Sequence, residues 1–219
     1  GSVMPEIEIE GVTRKMGMNR KTAHAYAKGE FSGDYGQIQE HIVVEATWLG
    51  NFEPYTVAEV DSFVAEMMRT NGQELLIDKY NLQPFTVRVL TKERTLCEKI
   101  MSMVRFSHSD EPYEDLSRKI RHVYDIHMLL KDKDVTTFFN SPRFDTMLNI
   151  VGNDDVLTYK NNNDWLSIPP QTAVIYANPK ATWSAIRHPY RTTFKDLVTG
   201  YLPEEAELVH SLELVAIRL

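Results

Sequence analysis

The chain lacks the cysteine pair that an internal disulfide bond requires, because Cys97 is the only cysteine among its 219 residues. A single thiol is typical of a reducing compartment, so we expect a cytoplasmic protein. A surplus of positive charge is also missing: the formal net charge is −7, which argues against a broad, non-specific grip on nucleic acid. No apolar run approaches the length of a membrane span, so we expect no membrane partner.

Familiar local motifs of nucleotide-binding, hydrolytic and metal enzymes are missing as well. The sequence has no P-loop, no Gly-x-Gly-x-x-Gly loop, no His-Glu-x-x-His motif and no Gly-x-Ser-x-Gly elbow. No set of cysteines and histidines has the spacing of a zinc site. One Asp-x-Asp sequence occurs, at Asp132-Lys133-Asp134, but it lies among lysines at a predicted helix end, which favours a solvated turn.

What is present is an ordinary globular composition, with 42% hydrophobic and 25% charged residues. Alternating or continuous apolar residues predict strands over 3–10, 41–49 and 85–90. Helical periodicity predicts helices over 57–70, 93–106, 116–130, most of 131–151, two segments within 171–200, and a last helix opening at 203. Loops are expected over 107–115 and 152–170. The expected fold class is α+β, a small sheet that includes 41–49 and 85–90, followed by a helical bundle.

Two features of the N-terminal part each allow two interpretations. Residues 11–29 are rich in basic side chains, and they form either a solvated hairpin, which is the simpler interpretation, or a flank that contacts phosphates of an RNA acceptor. Glu45 lies in the middle of a mostly apolar strand. Either it reaches solvent from an edge strand, or a cation or metal ion compensates the cost of its charge.

The predicted helices over 93–106 and 116–130 carry the candidate chemistry. Lys99 lies at the border of a wide apolar face, from which its ammonium can reach either solvent or an adjacent cleft. Asp125 lies one turn from Arg121, and this spacing alone favours an exposed ion pair worth only ~0.3–0.5 kcal/mol. His127 falls on the apolar stripe, where a hydrogen-bonded core histidine is more common than a ligand.

The residue identities in these two helices carry information beyond their hydrophobic periodicity. The first helix reads RTLCEKI from Arg94, and the second reads RHVYDIHMLL from Arg121. They resemble the "RTLxEKI" and "RHxYDIxxLL" segments of the nucleotidyltransferase family that includes the AbiEii toxins of abortive-infection toxin–antitoxin pairs. The earlier IVVEATWLG resembles the third core strand of that family, and the later YRTTFKDLVTGYLP resembles its C-terminal end. The resemblance covers roughly residues 40–219.

This resemblance implies a DNA-polymerase-β-like core and transfer of a nucleotidyl group from a nucleoside triphosphate. It implies that Lys99 and Asp125 are catalytic, that Lys99 and Arg121 bind the triphosphate, and that Glu45 binds Mg²⁺. The acceptor would be an RNA or a protein, and a cognate antitoxin would be a partner. The chain would divide into a remnant of the core over residues 3–92 and a helical region over residues 93–219.

One departure from the family pattern limits what this chain can do. The Gly-Gly/Ser helix cap and the Asp-x-Asp strand of the family's metal site are missing, and Gly1-Ser2 resembles a cloning scar. We therefore expect the C-terminal part of a longer enzyme, inactive alone. The alternatives are a non-catalytic binding module derived from that fold and a free-standing helical regulatory domain.

Overall fold

The computed structural model of the chain describes the backbone over residues 10–16, 19–25, 41–47, 51, 53–158, 164–198 and 200–219. Within those ranges, side chains are described from residue 51 onward, except at positions 156 and 158. The strand predicted over residues 3–10 therefore lies outside the described residues, apart from Glu10 at its end.

The described part of the chain contains two separate antiparallel sheets. The first has the order β1-β2-β3, with β1 at Glu10–Met16, β2 at Asn19–Ala25 and β3 at His41–Thr47. The second is a pair, with β4 at Tyr55–Val60 and β5 at Phe85–Leu90. The β1–β2 pairing confirms the hairpin backbone expected over residues 11–29.

The expectation that residues 41–49 and 85–90 belong to one sheet is wrong. In the structure β3 pairs with β2, whereas β5 pairs with β4. The reason is that residues 55–60 are extended rather than helical, so β5 has an antiparallel partner of its own.

The helix predicted over residues 57–70 is therefore only partly correct. Helix α1 runs over Phe63–Thr70, because Ser62 is extended and its hydroxyl accepts the Ala65 amide as an N-cap. The expected apolar face is not buried, since Phe63 is 90% exposed. Gly72, with a φ of 67°, follows the helix end in the left-handed region, as the Asn-Gly signal predicts.

The rest of the described chain is mostly helical. The helices are α2 at Glu74–Lys79, α3 at Lys92–Ser107, α4 at Pro112–Arg118, α5 at Ile120–Leu130, α6 at Lys133–Phe139, α7 at Pro142–Thr158, α8 at Val174–Ala177, α9 at Pro179–Ile186 and α10 at Glu205–Arg218. Short 3₁₀ or π turns lie at Asp164–Ser167, Pro170–Thr172, Tyr190–Phe194 and Lys195–Leu197. The α+β fold class, small sheets followed by a helical bundle, is confirmed.

The helix predicted over residues 116–130 is two helices in the structure. α4 begins earlier, at Pro112, since the missing amide hydrogen of proline is tolerated in a first helical turn. The backbone then leaves helical geometry at Lys119, with φ −103° and ψ 20°, and α5 follows. The loop expected over residues 107–115 is therefore shorter than predicted.

The turn-rich segment predicted over residues 152–170 is also shorter, because α7 continues to Thr158. Val151 is buried, and the next turn of α7 places Asp154 against Arg94 of α3. Tertiary contacts thus outweigh the low helix propensity of the glycine, asparagine and aspartates in this turn.

Helix α3 lies in the middle of the helical bundle. The hydroxyl of Thr91 accepts the Arg94 amide as the N-cap of α3. α3 packs against α4, α5, α7 and α8, and α10 in turn packs against α5, α8 and α9. The buried apolar side chains of α3 are Leu96, Cys97, Ile100, Met101, Met103 and Val104. Within the described part of the chain, no helix combines the length and apolarity that a bilayer crossing requires.

We expect a Leu96→Ala variant to lose about 2–5 kcal/mol of unfolding free energy, because the fully buried side chain leaves a cavity at the centre of the bundle. Urea denaturation measures the loss. Leu75→Ala is the matched control, since Leu75 is 83% exposed and its truncation is expected to cost less than about 0.5 kcal/mol. Equal losses for both variants would contradict the central position of α3.

Candidate active site

The apolar packing of α3 on α5 brings the two motif helices side by side. On α3, Leu96 and Ile100 are buried, and Lys99 lies at the border of that face. On α5, Val123 and Ile126 are buried, and Asp125 lies between them in sequence but at the rim of the contact. The two polar side chains therefore meet at the edge of a packed interface.

Lys99 has two acceptors across this rim. Its Nζ atom lies 2.8 Å from Oδ2 of Asp125 and 3.0 Å from Nδ1 of His122. All three side chains are mostly covered, with exposed fractions of 21–25%. The structure thus brings together Lys99 and Asp125, the two residues that the resemblance makes catalytic, and adds His122 to them.

The protonation state of His122 follows from these contacts. An ammonium has only hydrogens to donate, so Nδ1 of His122 accepts from Lys99 and the neutral imidazole carries its hydrogen on Nε2. Burial lowers the pKa of His122 first, and the charges of Lys99 and Lys119 lower it further, although Asp125 acts in the opposite direction. Both geometry and pKa therefore keep His122 neutral at pH 7.

Asp125 is ionised in this arrangement. Burial by itself raises the pKa of its carboxyl, but the Lys99 ammonium at 2.8 Å, with the Arg121 guanidinium adding to its effect, outweighs burial and lowers that pKa from its ordinary value. The result is a carboxylate that faces a lysine and a neutral imidazole.

Asp125 has contacts with two cations, Lys99 and Arg121. The exposed ion pair with Arg121, which the spacing favours, is the weaker of these two contacts. Nε of Arg121 lies 3.9 Å from Oδ2 of Asp125, and the Arg121 side chain is 75% exposed. Lys99, 26 residues away in sequence, is closer. Arg121 therefore keeps most of its guanidinium directed to solvent beside the Lys99 ammonium.

Glu45, the proposed metal ligand, lies in β3 opposite Lys21 of β2. Its side chain lies outside the described residues, and so does the basic side-chain surface expected over residues 11–29. Among the residues that are described, no group of three or more histidines, cysteines, aspartates or glutamates is placed to hold a metal ion.

The Asp-x-Asp sequence at the start of α6 has a structural use. Oδ1 of Asp132 accepts the amides of Asp134 and Val135 as an N-cap, and Oδ2 lies 2.6 Å from Nζ of Lys92. This agrees with the interpretation as a surface turn rather than a metal site.

Arg94 has no role predicted from the sequence, although it is the charged residue most deeply buried, at 1% exposure, among the described residues. Its guanidinium donates to Oε1 of Glu98 at 2.8 Å, to Oδ2 of Asp154 at 2.8 Å and to the carbonyl of Glu53 at 2.7 Å. A signal was available, because Arg94 precedes the buried Cys97 by three residues and so falls on the apolar face.

Asp155 is the second residue that the sequence did not indicate. It is half-buried, and burial raises the pKa of its carboxyl, with Glu98 and Asp154 adding to the rise and Arg105 opposing it. Together these acids surround Arg94 on the side of α3 that faces α7.

His127 is a core histidine, as its position on the apolar stripe favours. Its Nδ1 lies 2.9 Å from Oγ of Ser211 on α10, and it is buried. Burial lowers its pKa below 6.5.

A comparison with protein families decides the relationship. The family described as "Nucleotidyl transferase AbiEii toxin, Type IV TA system" matches residues 3–198. The chain belongs to the AbiEii nucleotidyltransferase toxin family. Searches of curated proteins and of solved structures found no match.

Both motif helices, α3 and α5, lie inside the part of this AbiEii chain that matches the family. So does Tyr124, the residue before Asp125, whose ring packs edge-on against Phe194 at 5.2 Å. Aromatic packing of Tyr124 therefore anchors the Tyr124-Asp125-Ile126 segment, in which Asp125 points to Lys99.

The low pKa values of His122 and His127 predict that acid destabilises the protein. Between each lowered folded-state pKa and the ordinary value of 6.5, the unfolded chain binds more protons, so the unfolding free energy decreases as pH falls. We expect the urea midpoint to fall from about pH 7 to about pH 5, and to fall less in His122→Asn and in His127→Asn.

Replacement of the exposed His188 by asparagine is the control for this experiment, and it should leave the pH profile of the wild type unchanged. A urea midpoint that stays constant or rises on acidification, in wild type, would show that the two histidines are not held neutral.

Proposed function

We propose that this chain is the C-terminal part of a nucleotidyltransferase-type toxin that transfers a nucleotidyl group from a nucleoside triphosphate to an RNA or protein acceptor. The observation that carries the proposal is the Lys99 ammonium, which Asp125 and His122 hold beside the exposed Arg121 guanidinium. Membership of the AbiEii family, a type IV toxin–antitoxin family, supports this activity and an antitoxin partner.

In the proposed reaction an acceptor hydroxyl attacks the α-phosphorus. A new phosphorus–oxygen bond forms as the hydroxyl loses its proton to solvent water, the bond to the β-phosphate bridging oxygen breaks, and pyrophosphate leaves with that electron pair. The residues of this chain bind and orient: Lys99 donates to triphosphate oxygens, and Arg121 is exposed within reach of the same phosphates. Asp125 positions Lys99, or the acceptor, through its ionised carboxylate.

Nucleotidyltransferases of this family generally use a divalent metal ion, and Glu45 is our proposed ligand for Mg²⁺ in this chain. The described residues alone do not form a set of metal ligands, so the steps above involve only the groups that bind and orient the triphosphate. When bound, Mg²⁺ would neutralise phosphate charge and orient the attacking hydroxyl.

We propose that the chain alone does not turn over nucleotides. The printed sequence has one Asp-x-Asp, and its Asp132 is occupied by a helix cap and an ion pair with Lys92. Catalysis is therefore expected from the full-length parent, whereas triphosphate binding at Lys99 is expected from this chain.

The second candidate is a non-catalytic binding module of the same fold, and the use of the Asp-x-Asp at Asp132 as a helix cap and ion pair favours it. Such a module would recognise a protein partner and would not need Lys99 to contact phosphate. Nucleotide binding and label transfer therefore separate the two candidates.

We expect Lys99→Ala to weaken ATP and GTP binding about 10- to 100-fold, because a charge-assisted contact with phosphate is lost. Isothermal titration calorimetry measures the change. Lys92→Ala is the matched control, since Lys92 lies on the same helix and also pairs with an aspartate, Asp132, but is outside the α3–α5 contact. It should bind as the wild type does.

In the full-length parent, Lys99→Ala and Asp125→Ala should abolish transfer of radiolabel from a nucleoside triphosphate to total RNA or protein in the presence of Mg²⁺. They should also relieve growth arrest when the toxin is expressed without its antitoxin. A parent that transfers no label, together with variants that affect cell growth as the unsubstituted parent does, would favour the binding module.

A further inference from the structure

We propose that His122 is a positioning residue that fixes the direction of the Lys99 ammonium toward the triphosphate of a bound nucleotide. The inference rests on the proposed function, because it assigns a role to His122 only if Lys99 contacts phosphate. It goes beyond that function in giving His122 a role of its own, the orientation of the Lys99 hydrogens, for which the proposed reaction has no step.

The geometry around Nζ of Lys99 supports this role. The ammonium has three hydrogens, and two acceptors lie at hydrogen-bond distance, Oδ2 of Asp125 at 2.8 Å and Nδ1 of His122 at 3.0 Å. The two acceptors are 4.0 Å apart, so the directions from Nζ to them form nearly a right angle. Each acceptor therefore takes a different hydrogen, and the third points away from both.

A single carboxylate would not fix that third direction. With only Asp125 as an acceptor, the ammonium rotates about one hydrogen bond, and its other two hydrogens sweep a cone. The second acceptor removes this freedom before a ligand arrives. Preorganisation of this kind increases affinity, because the ligand no longer meets the entropic cost of ordering the side chain.

The chemical type of the second acceptor also matters. A second carboxylate in place of His122 would cancel the remaining positive charge of the group formed by Lys99, Asp125 and Arg121, and this would weaken its attraction for phosphate. A neutral imidazole accepts the hydrogen bond without adding charge. Lys99 and Asp125 then cancel, and Arg121 leaves the rim positive by one charge.

This arrangement gives His122 a pH signature. The charged groups that face it are Lys99 on α3, Lys119 between α4 and α5, and Asp125 on α5. Protonation of His122 removes the acceptor at Nδ1 and places a cation against the Lys99 ammonium. Triphosphate binding should therefore weaken on acidification, by release of Lys99 from its fixed direction.

Inorganic tripolyphosphate is the probe, because it has the phosphate chain without a base or sugar. We expect His122→Phe to weaken its binding about tenfold at about pH 7.5, since one ordering hydrogen bond is lost. His122→Asn should bind within about threefold of the wild type, because its amide oxygen can occupy the position of Nδ1. Lys92→Ala, as before, should not differ from the wild type.

The pH profile distinguishes positioning from a merely structural role. At each pH, the affinity of the wild type for tripolyphosphate is divided by that of His122→Asn. This ratio should decrease between about pH 7 and pH 5, because only the wild type has an imidazole at position 122 to protonate. The probe's own titration affects both proteins equally and cancels in this ratio. A ratio that does not change with pH would overturn the inference.

A measurement on the wild-type protein keeps the inference testable if His122→Phe fails to fold. The ¹⁵N chemical shifts of the His122 ring at about pH 7 should show hydrogen on Nε2 and a bare Nδ1. A hydrogen on Nδ1 would overturn the inference, since that atom could not accept from Lys99.

Failure of the proposed function and failure of the positioning role of His122 would give different binding results. If Lys99→Ala binds tripolyphosphate as the wild type does, the proposed function fails and the inference fails with it. If Lys99→Ala weakens binding while His122→Phe does not, the proposed function stands and the positioning role of His122 is wrong.

Discussion

The burial of α3 is the constraint on which the rest of the structure depends. Leu96, Ile100 and Met103 are fully buried, and each such side chain contributes roughly 1.5–3 kcal/mol relative to exposure. Exposed ion pairs contribute about 0–1 kcal/mol, and even half-covered ones such as Lys99–Asp125 offset much of their attraction by desolvation. Apolar packing therefore sets the positions of α3 and α5, and the meeting of Lys99 with Asp125 is its consequence.

The buried Arg94 is the polar counterpart of that packing. Each of its three nitrogens has its own acceptor, one on α3, one on α7 and one on the chain that leads into β4. Removal of either acid would leave the buried guanidinium with one carboxylate instead of two, which is expected to destabilise the fold because the desolvation of Arg94 is then less completely offset. Together with the bond from the Thr91 amide to the Pro54 carbonyl at 3.1 Å, Arg94 joins the β4–β5 pair to the helical bundle.

The sequence predicts those parts of the fold whose signal is local. Periodicity predicts a helix over residues 93–106 and a last helix opening at 203, and the structure has α3 at Lys92–Ser107 and α10 at Glu205–Arg218, so both helices are confirmed to within two residues. Of the helix predicted over residues 57–70, only 63–70 are helical, because residues 55–60 pair with β5. The apolar face of α1, exemplified by Phe63, is not buried, so periodicity there does not report packing. Spacing also cannot say which helices face each other. It pairs Asp125 with Arg121, whereas the structure pairs it with Lys99, and only the family resemblance placed those two residues in one site.

The net charge of −7 argues against a broad surface for nucleic acid, but it does not exclude a triphosphate at the α3–α5 rim. Charges farther than about 8 Å are largely screened at physiological salt, whereas groups in direct contact are not. At the α3–α5 rim, the cations that would contact a bound triphosphate directly are the exposed Arg121 and the mostly covered Lys99. The neutral His122 adds no negative charge to them. An acidic protein can thus offer a polyanion one small cationic contact at this rim, and such a contact suits a compact donor triphosphate better than a broad, non-specific grip on nucleic acid.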